Sequence, residues 1–352
     1  MAAPKKITVA SGDLERFIAG IFRARGLEAG DAASVAEVLV WANLRGIESH
    51  GISRVPRYLQ FIDQGDLDPA AVPRVHRLGD ALFHLDAAHA AGAVAMKQAV
   101  AEALELVPRA GVCVGIVSHT THAGAIGLYA LRIAEQGHAA IVLAAGMPNM
   151  AYHGTRTASL STSPIAIAVP GRQYGPLVLD MATAVAAAGR INQLRLAGET
   201  LPEGWALAKD GTPTTDPAQA DIAMPLGGAK GSGLSFMFEC LTGLVPAAPV
   251  LMRAIGAPGP RHNAQNAMLI ALDIAKFRPV EEFCRDVDAL ASLMKSQARR
   301  PGVDEILLPG ERGRRTAEVR ARSGVPVSAR VWQQLADVAA ALKVGLPPVR
   351  EA

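Results

Sequence analysis

Pro225-Leu226-Gly227-Gly228-Ala229-Lys230-Gly231-Ser232-Gly233 is the densest run of glycine in this chain of 352 residues, and what it lacks decides the fold. A doubly wound dinucleotide-binding sheet carries Gly-x-Gly-x-x-Gly between an early strand and a helix, because glycines there permit a tight turn and the close approach of a pyrophosphate. This run comes late, its glycines are spaced differently, and the fingerprint occurs nowhere else. A Rossmann sheet is therefore not expected. Nor is a hydrolytic P-loop, since Gly231 rather than a hydroxyl residue follows Lys230. Placed directly ahead of a helix, the run reads equally as an anion site built from amides and Lys230 or as ordinary turn chemistry.

Outward from it lie three more small-residue loops: His122-Ala123-Gly124-Ala125-Ile126-Gly127 opening a helix, Leu160-Ser161-Thr162-Ser163-Pro164 before a strand, and Asp180-Met181-Ala182-Thr183-Ala184 after one. Each can present amides to a phosphate or simply reverse the chain. Hydrophobic periodicity predicts helices through Leu14–Phe22, Ala32–Asn43 and Tyr58–Ile62, with a boundary near residue 75 after the proline-marked segment Pro69–Pro73. Alternating or short apolar runs predict strands near Phe83–Leu85 and over Val112–Val117, Ala139–Ala144, Ile165–Val169, Leu177–Asp180 and Met268–Leu272. Further helices are expected over Ala90–Val107, Ile126–Glu135, Leu234–Leu244, Val280–Lys295 and Ala329–Leu342. The fold class is α/β (α+β). Residues 1–75 form a helical segment packing with 300–352, and residues 76–299 form a central sheet-containing region.

Composition narrows the function. Half the residues are hydrophobic, 4% are aromatic and the formal net charge is +3, which describes a soluble globule without a nucleic-acid footprint. No apolar run approaches the ~20 residues of a membrane span, and the N-terminus lacks a signal-peptide core. The 3 cysteines, Cys113, Cys240 and Cys284, are odd in number and not in metal or redox spacing, which fits a reducing cytoplasm. A late basic cluster, Arg312, Arg314, Arg315, Arg320 and Arg322, reads as a solvated face or as a phosphate contact.

Chemistry enters at Leu44-Arg45-Gly46-Ile47-Glu48-Ser49-His50-Gly51-Ile52-Ser53-Arg54. An imidazole beside a hydroxyl can exchange a proton near neutral pH, and a guanidinium four residues on offers a fork to a carboxylate. Together they suit hydride chemistry on a 2-oxo, 2-hydroxy or imino acid. Alone, the tripeptide serves equally as a cap or packing element. A hydrolase triad is not expected, because adjacent residues rarely aim at each other and no Gly-x-Ser-x-Gly elbow exists. A metal site is not expected either: His119 and His122 are three residues apart with no carboxylate in their loop.

In order and spacing these motifs, with Thr121-His122-Ala123-Gly124-Ala125 and Leu308-Pro309-Gly310-Glu311-Arg312, resemble the malate/L-lactate dehydrogenase type 2 family from about Leu14 to Leu342. That family includes ureidoglycolate, sulfolactate and Δ1-piperideine-2-carboxylate oxidoreductases. The resemblance implies a non-Rossmann NAD(P)-binding fold with a largely antiparallel central sheet flanked by helices. It further implies NAD or NADP as cofactor, a small carboxylate substrate and a homodimer with its site near the subunit interface. It makes His50 the proton donor and acceptor, Ser49 its orienting partner, Arg54 the carboxylate clamp and Thr162 a substrate contact. The resemblance also implies that His122, Ala123, Gly124, Ala125, Ile126, Asp180, Met181, Ala182, Lys230, Gly310, Glu311 and Arg312 hold the cofactor. The chain departs from relatives at Ala123, where many have Phe, at Ser163, where many have Asn, and at Arg190, where some imine-reducing relatives place an acid. The leading expectation is a 2-hydroxy or 2-oxo acid oxidoreductase. Its rivals are a reductase of cyclic imino acids or N-alkyl imines and a catalytically inactive cofactor-binding paralogue.

Overall fold

In the computed structural model, which describes residues 7–256 and 263–351, the strand Gln265–Asp273 pairs along its length with Val112–Thr120 on one side and His138–Gly146 on the other. Both pairings are antiparallel. The run is mostly apolar because it lies between two neighbours in the middle of a seven-stranded sheet, with Ala267, Leu269 and Ala271 buried. Arg74–Arg77 and Leu82–Asp86 extend the sheet beyond Val112–Thr120, and Ile165–Val169 and Leu177–Met181 extend it beyond His138–Gly146. The sheet is mixed: Leu82–Asp86 runs parallel to Val112–Thr120, and the other neighbouring pairs are antiparallel. Gly115 is required within its strand, because the Phe83 ring occupies the space a Cβ would take.

Helix Gly92–Ala110 lies against this sheet through Ala95, Met96, Ala99 and Ala103, all buried. Three small residues among the four let the backbone approach closely, so a larger side chain there would overpack the layer. Helices Ser11–Ala24 and Ala29–Leu44 pack on each other, and the second reaches Gly92–Ala110. One continuous apolar core runs from Val9 to Ala339. In a three-stranded sheet Ile7–Val9 pairs antiparallel with Val325–Val327 and with Arg350–Glu351. A five-stranded sheet of short strands joins Met150–Ala151, Ala158–Leu160, Ala206–Leu207, Pro213–Thr214 and Ile222–Ala223.

Helices Val280–Lys295 and Ala329–Leu342 fall where their periodicity predicts them, and the six strands expected in the seven-stranded sheet are present, five of them extended by one to three residues at one end or both, whereas its edge strand Arg74–Arg77 is mostly exposed and has no apolar run to predict it. The late basic cluster is not simply a solvated face. It forms helix Glu311–Ser323, in which Arg314 pairs with Glu318, Arg315 with Glu305 and Arg320 with Glu48. No helix among the described residues is long and apolar enough to cross a membrane.

Candidate active site

Helix Ala29–Leu44 ends at Arg45, and the chain continues through two short 3₁₀ turns, Glu48–His50 and Ile52–Arg54. The buried Asn43 holds this loop, its Oδ1 accepting from the Ile52 N–H at 2.7 Å. Ser53 Oγ donates to the Glu48 carbonyl at 2.7 Å. Ser49 is backed by Gly189, where a Cβ would fall 2.7 Å from the Ser49 Cβ, so only glycine fits without displacing the loop.

Within the loop, Ser49 Oγ lies 2.9 Å from His50 Nδ1. A hydroxyl both donates and accepts, so Ser49 can hold the ring whether Nδ1 carries a lone pair or a proton. Nε2 of His50 has no protein partner among the described residues. Arg54 Nε donates to the Ser49 carbonyl at 2.6 Å, which fixes the guanidinium plane and leaves its Nη groups without a carboxylate among the described residues. Burial, and then the positive charge of Arg54, lower His50 to about 4.

A second imidazole stacks on the first. The His122 ring lies 5.4 Å from that of His50 with 29° between planes. Its Nδ1 accepts from the Gly124 N–H at 3.2 Å and lies 2.7 Å from Tyr58 Oη. A backbone N–H can only donate, so Nδ1 holds the lone pair and the proton sits on Nε2. Burial, with Arg54 and His50 adding repulsion, keeps His122 neutral well below its ordinary range. Burial also raises Tyr58, which therefore stays a donor.

Beside this group a cleft of about 200 Å³ opens between Trp41, Arg45 and Ile47, the start of helix Gly127–Ala134, strand Leu177–Met181 and the segment from Leu308 to Gly313. Arg45 sits 4.9 Å over the Trp41 ring and makes no ion pair among the described residues. Arg312 and the first turn of helix Glu311–Ser323 face the same space. Gly310 must be glycine: its φ is +78° and a Cβ would lie 2.6 Å from Val178 Cγ1. Asp180 Oδ2 accepts from the Gly127 N–H at 2.9 Å. Asp180 is open to water at the cleft mouth but ringed by protein. That crowding raises its carboxyl to about 6, against the pull of the Gly127 amide and Arg45. Two guanidiniums and a helix N-terminus around one cleft suit an anionic ligand with a hydroxyl or amide for Asp180.

A family model described as malate/L-lactate dehydrogenase matches residues 9–336. The chain belongs to the malate/L-lactate dehydrogenase family. It is 32% identical over 343 residues to malate dehydrogenase of Pyrococcus horikoshii, 95% of each chain. The structure of malate dehydrogenase from that organism superposes with a TM-score of 0.87 at 29% identity, covering 98% of this chain and 99% of the other. Ureidoglycolate dehydrogenase (NAD⁺) of Escherichia coli K12 is 32% identical over 288 residues, 81% of this chain and 82% of that one. The Δ1-piperideine-2-carboxylate reductase structure from Pseudomonas syringae pathovar tomato superposes with a TM-score of 0.80 at 27% identity, over 94% and 99% of the two chains.

In this malate/L-lactate dehydrogenase family member, Ser49, His50, Arg54 and His122 form one group, and Asp180, Gly310 and Arg312 line the adjoining cleft. Ile47 joins the two, lining the cleft three residues before His50. Ala123, Ala125 and Ile126 are buried, and Ala123 is pinned by its N–H to Gln265 Oε1 at 2.7 Å. Gly124 is in the left-handed region at φ +73°, which turns the loop. Glu311 is buried and its carboxylate is occupied, accepting from Lys295 Nζ at 3.0 and 2.9 Å and from the Leu308 N–H at 2.9 Å. Thr162 is tied to Asn149 and Thr183 by its backbone, Met181 lies at the end of the sheet-edge strand, and Ala182 packs beside Leu160. Lys230 is exposed in the first turn of helix Ala229–Glu239 and does not line the cleft. Arg190 is exposed and reaches Gln193 rather than the Ser49–His50 pair.

Trp41, Arg45 and Tyr58 were not among the expected site residues. Trp41 and Arg45 are four apart at a helix end, a spacing that puts an aromatic and a cation on one face. Tyr58 lies one helical turn after Arg54 and carries the one hydroxyl in an otherwise apolar stripe with Leu59 and Phe61.

Proposed function

We propose that this protein is an NAD(P)-dependent oxidoreductase that moves hydride between a nicotinamide and the carbon next to the carboxylate of a small 2-hydroxy or 2-oxo acid. The observation that carries the reading is the Ser49–His50–Arg54 arrangement: a ring held at Nδ1, free at Nε2, beside a guanidinium fixed at Nε with both Nη groups available. The cleft supports a dinucleotide, because Arg45, Arg312 and the helix N-terminus oppose phosphate charge while Asp180 accepts from a hydroxyl or amide. We place the fold outside the Rossmann class on the antiparallel pairings of the central sheet and the absence of the glycine fingerprint. A homodimer is supported by Leu234, Phe236, Met237, Leu244 and Val245, exposed apolar residues along helix Ala229–Glu239 and the turn after it. Three free cysteines support a reducing cytoplasm.

When bound, the nicotinamide supplies or accepts the hydride. Arg54 pairs with the substrate carboxylate through its Nη groups and so turns the adjacent carbon and its oxygen toward His50. In oxidation His50, its Nδ1–H already donating to Ser49 Oγ, takes the hydroxyl proton on Nε2, and the resulting imidazolium keeps that same bond to Ser49. In reduction the same Nε2 delivers a proton to the carbonyl oxygen.

The charge state of His50 sets the pH dependence. With His50 near 4 in the free enzyme the ring is neutral, and already a base, at pH 7. For hydroxy-acid oxidation, kcat/KM is expected to be level above about pH 5 and to fall roughly tenfold per unit below 4. For oxo-acid reduction it is expected to fall roughly tenfold per unit with rising pH, because the protonated free enzyme becomes scarcer. A carboxylate bound on Arg54 offsets that cation, so the break in kcat should lie above the break in kcat/KM. Initial rates from pH 3 to 9 test this, and a reduction profile level from pH 5 to 9 is incompatible with His50 as donor.

The decisive assay follows absorbance at 340 nm with NADH and NADPH separately against pyruvate, oxaloacetate and phenylpyruvate, with and without methylamine, and against Δ1-piperideine-2-carboxylate. Reduction of a plain oxo acid is expected. Turnover only with an amine or the cyclic imine would transfer the site to imine reduction. Binding of either cofactor without any turnover would support the inactive paralogue.

A further inference from the structure

One face of helix Glu311–Ser323 lies along the turn that leads into the catalytic loop. At Gly313 a Cβ would sit 3.3 Å from Arg45 Nε. Three residues on, Thr316 Cγ2 lies 3.5 Å from where a Cβ on Gly46 would be. Four further on, Arg320 Nη1 donates to Glu48 Oε1 at 2.8 Å and to the Asn43 carbonyl. Positions 313, 316 and 320 share one side of a helix, so the three contacts form a single seam. The helix thus lines the cleft with its first turn and grips the loop with Arg320, roughly 12 Å further along at 1.5 Å per residue.

Glu48 immediately precedes the Ser49–His50 pair. The Arg320 side chain is 18% exposed and that of Glu48 46%, so the ion pair by itself contributes little. What gives Arg320 leverage is its second acceptor. Asn43 offers Arg320 its carbonyl and, with its side chain, holds the Ile52 N–H on the far side of His50. Arg320 and Asn43 therefore restrain the loop on both sides of its reacting ring. The bonds within the two 3₁₀ turns are all short-range, from the His50 N–H to Ile47 O at 3.0 Å, the Gly51 N–H to Glu48 O at 3.2 Å and the Arg54 N–H to Gly51 O at 2.9 Å, so they shape the loop without tying it to the helix behind it.

We propose that Arg320 is a positioning residue that acts through Glu48 and Asn43 to hold Ser49, His50 and Arg54 in register with a ligand in the cleft. The proposal rests on the reading of the site as one for hydride and proton transfer. Reacting atoms must approach within about 3–3.5 Å, and a displacement of about 1 Å can cost about 10²-fold in rate.

The test compares the full-length wild type with Arg320→Ala, Arg320→Lys, Arg320→Met and Arg322→Ala. It measures hydrogen exchange in a peptide spanning residues 44–55, NADH or NADPH affinity, and kcat and KM on the acid the wild type turns over best. Arg320→Ala is expected to speed exchange of the loop amides about tenfold and to lower kcat about ten- to hundredfold, with cofactor affinity within about threefold. Arg320→Lys, which retains a cation, should recover part of kcat. Arg322→Ala removes a side chain that bonds the helix's own Glu318 carbonyl, and should match the wild type in every readout. A folded Arg320→Ala with wild-type loop exchange and kcat overturns the proposal, and so does a lowered Tm with both unchanged, which is what a merely structural role gives. Should Arg320→Ala not fold, Arg320→Met, which keeps the aliphatic stem but donates neither to Glu48 nor to the Asn43 carbonyl, decides in its place, and unaltered loop exchange in it overturns the proposal. Wild-type silence on every acid and imine would refute the proposed function separately. Loop exchange, which needs no substrate, would then decide the role of Arg320.

Discussion

Replacing His50 with alanine is expected to lower kcat by about 10²- to 10⁴-fold in both directions, the range that a positioned general acid–base group supplies. Cofactor affinity should be nearly unchanged, because His50 is not among the residues lining the cleft. The fold should also survive: the loop is held by Asn43, Ser53 and the Glu48 contacts rather than by the ring. Residual turnover should lose the pH break assigned to the imidazole, and added imidazole should restore part of the rate by filling the vacated volume beside Ser49. The measurement is paired: kcat by steady-state kinetics and cofactor Kd by fluorescence quenching on the same preparation. Turnover within about threefold of wild type would remove His50 as proton carrier and move that role to His122, whose ring stacks 5.4 Å away and whose Nε2 carries the proton.

Much of this site can be read from residues alone because its chemistry is local. Ser49, His50 and Arg54 lie within six residues, on a loop that follows a helix end and turns at Gly51. His122 joins them through the strand Val112–Thr120, whose apolar run is plain in the sequence. The partners that lie far along the chain are another matter. Helix Glu311–Ser323 has no apolar stripe to announce it, since the seam it buries is made by Gly313, Thr316 and Arg320. Its periodicity is one of close approach and hydrogen bonding, which a hydrophobic pattern does not register. Ile7–Val9 is similarly silent: three residues become a strand because Val325–Val327 and Arg350–Glu351 close on either side of them. Asp180 reads as the end of a strand, and only the tertiary fold brings it to the Gly127 amide across 53 residues of chain. Arg45 reads as the basic end of a helix, and only the approach of Gly310 and Gly313 encloses it in a cleft.

Arg54→Ala carries the other large expectation, and it separates into two effects of different origin. The first is loss of the carboxylate clamp. Truncating one partner of a desolvated charge pair costs about 2–5 kcal/mol, so kcat/KM for the acid should fall by about 30- to 4,000-fold, mostly through KM. Lysine should restore only part of this, because it lacks the fork that bonds the Ser49 carbonyl through Nε while presenting two Nη groups outward. The second effect is electrostatic. After burial, the Arg54 cation is what depresses His50 in the free enzyme. Removing it stabilises the imidazolium, so the pH at which the oxidation profile begins to fall should move up from about 4 toward the ordinary histidine range, while burial keeps it below that range. A clamp without electrical contact to the ring would raise KM and leave the break in place. A residue that merely packs the loop would change neither in this pattern. Profiles of kcat/KM against pH for the wild type, Arg54→Ala and Arg54→Lys, taken with saturating cofactor, therefore resolve the two. An Arg54→Ala enzyme with elevated KM and an unmoved break would keep the clamp and refute the coupling. One with unaltered KM would refute the carboxylate assignment itself, and with it the mechanism that places the substrate carbon between His50 and the cleft.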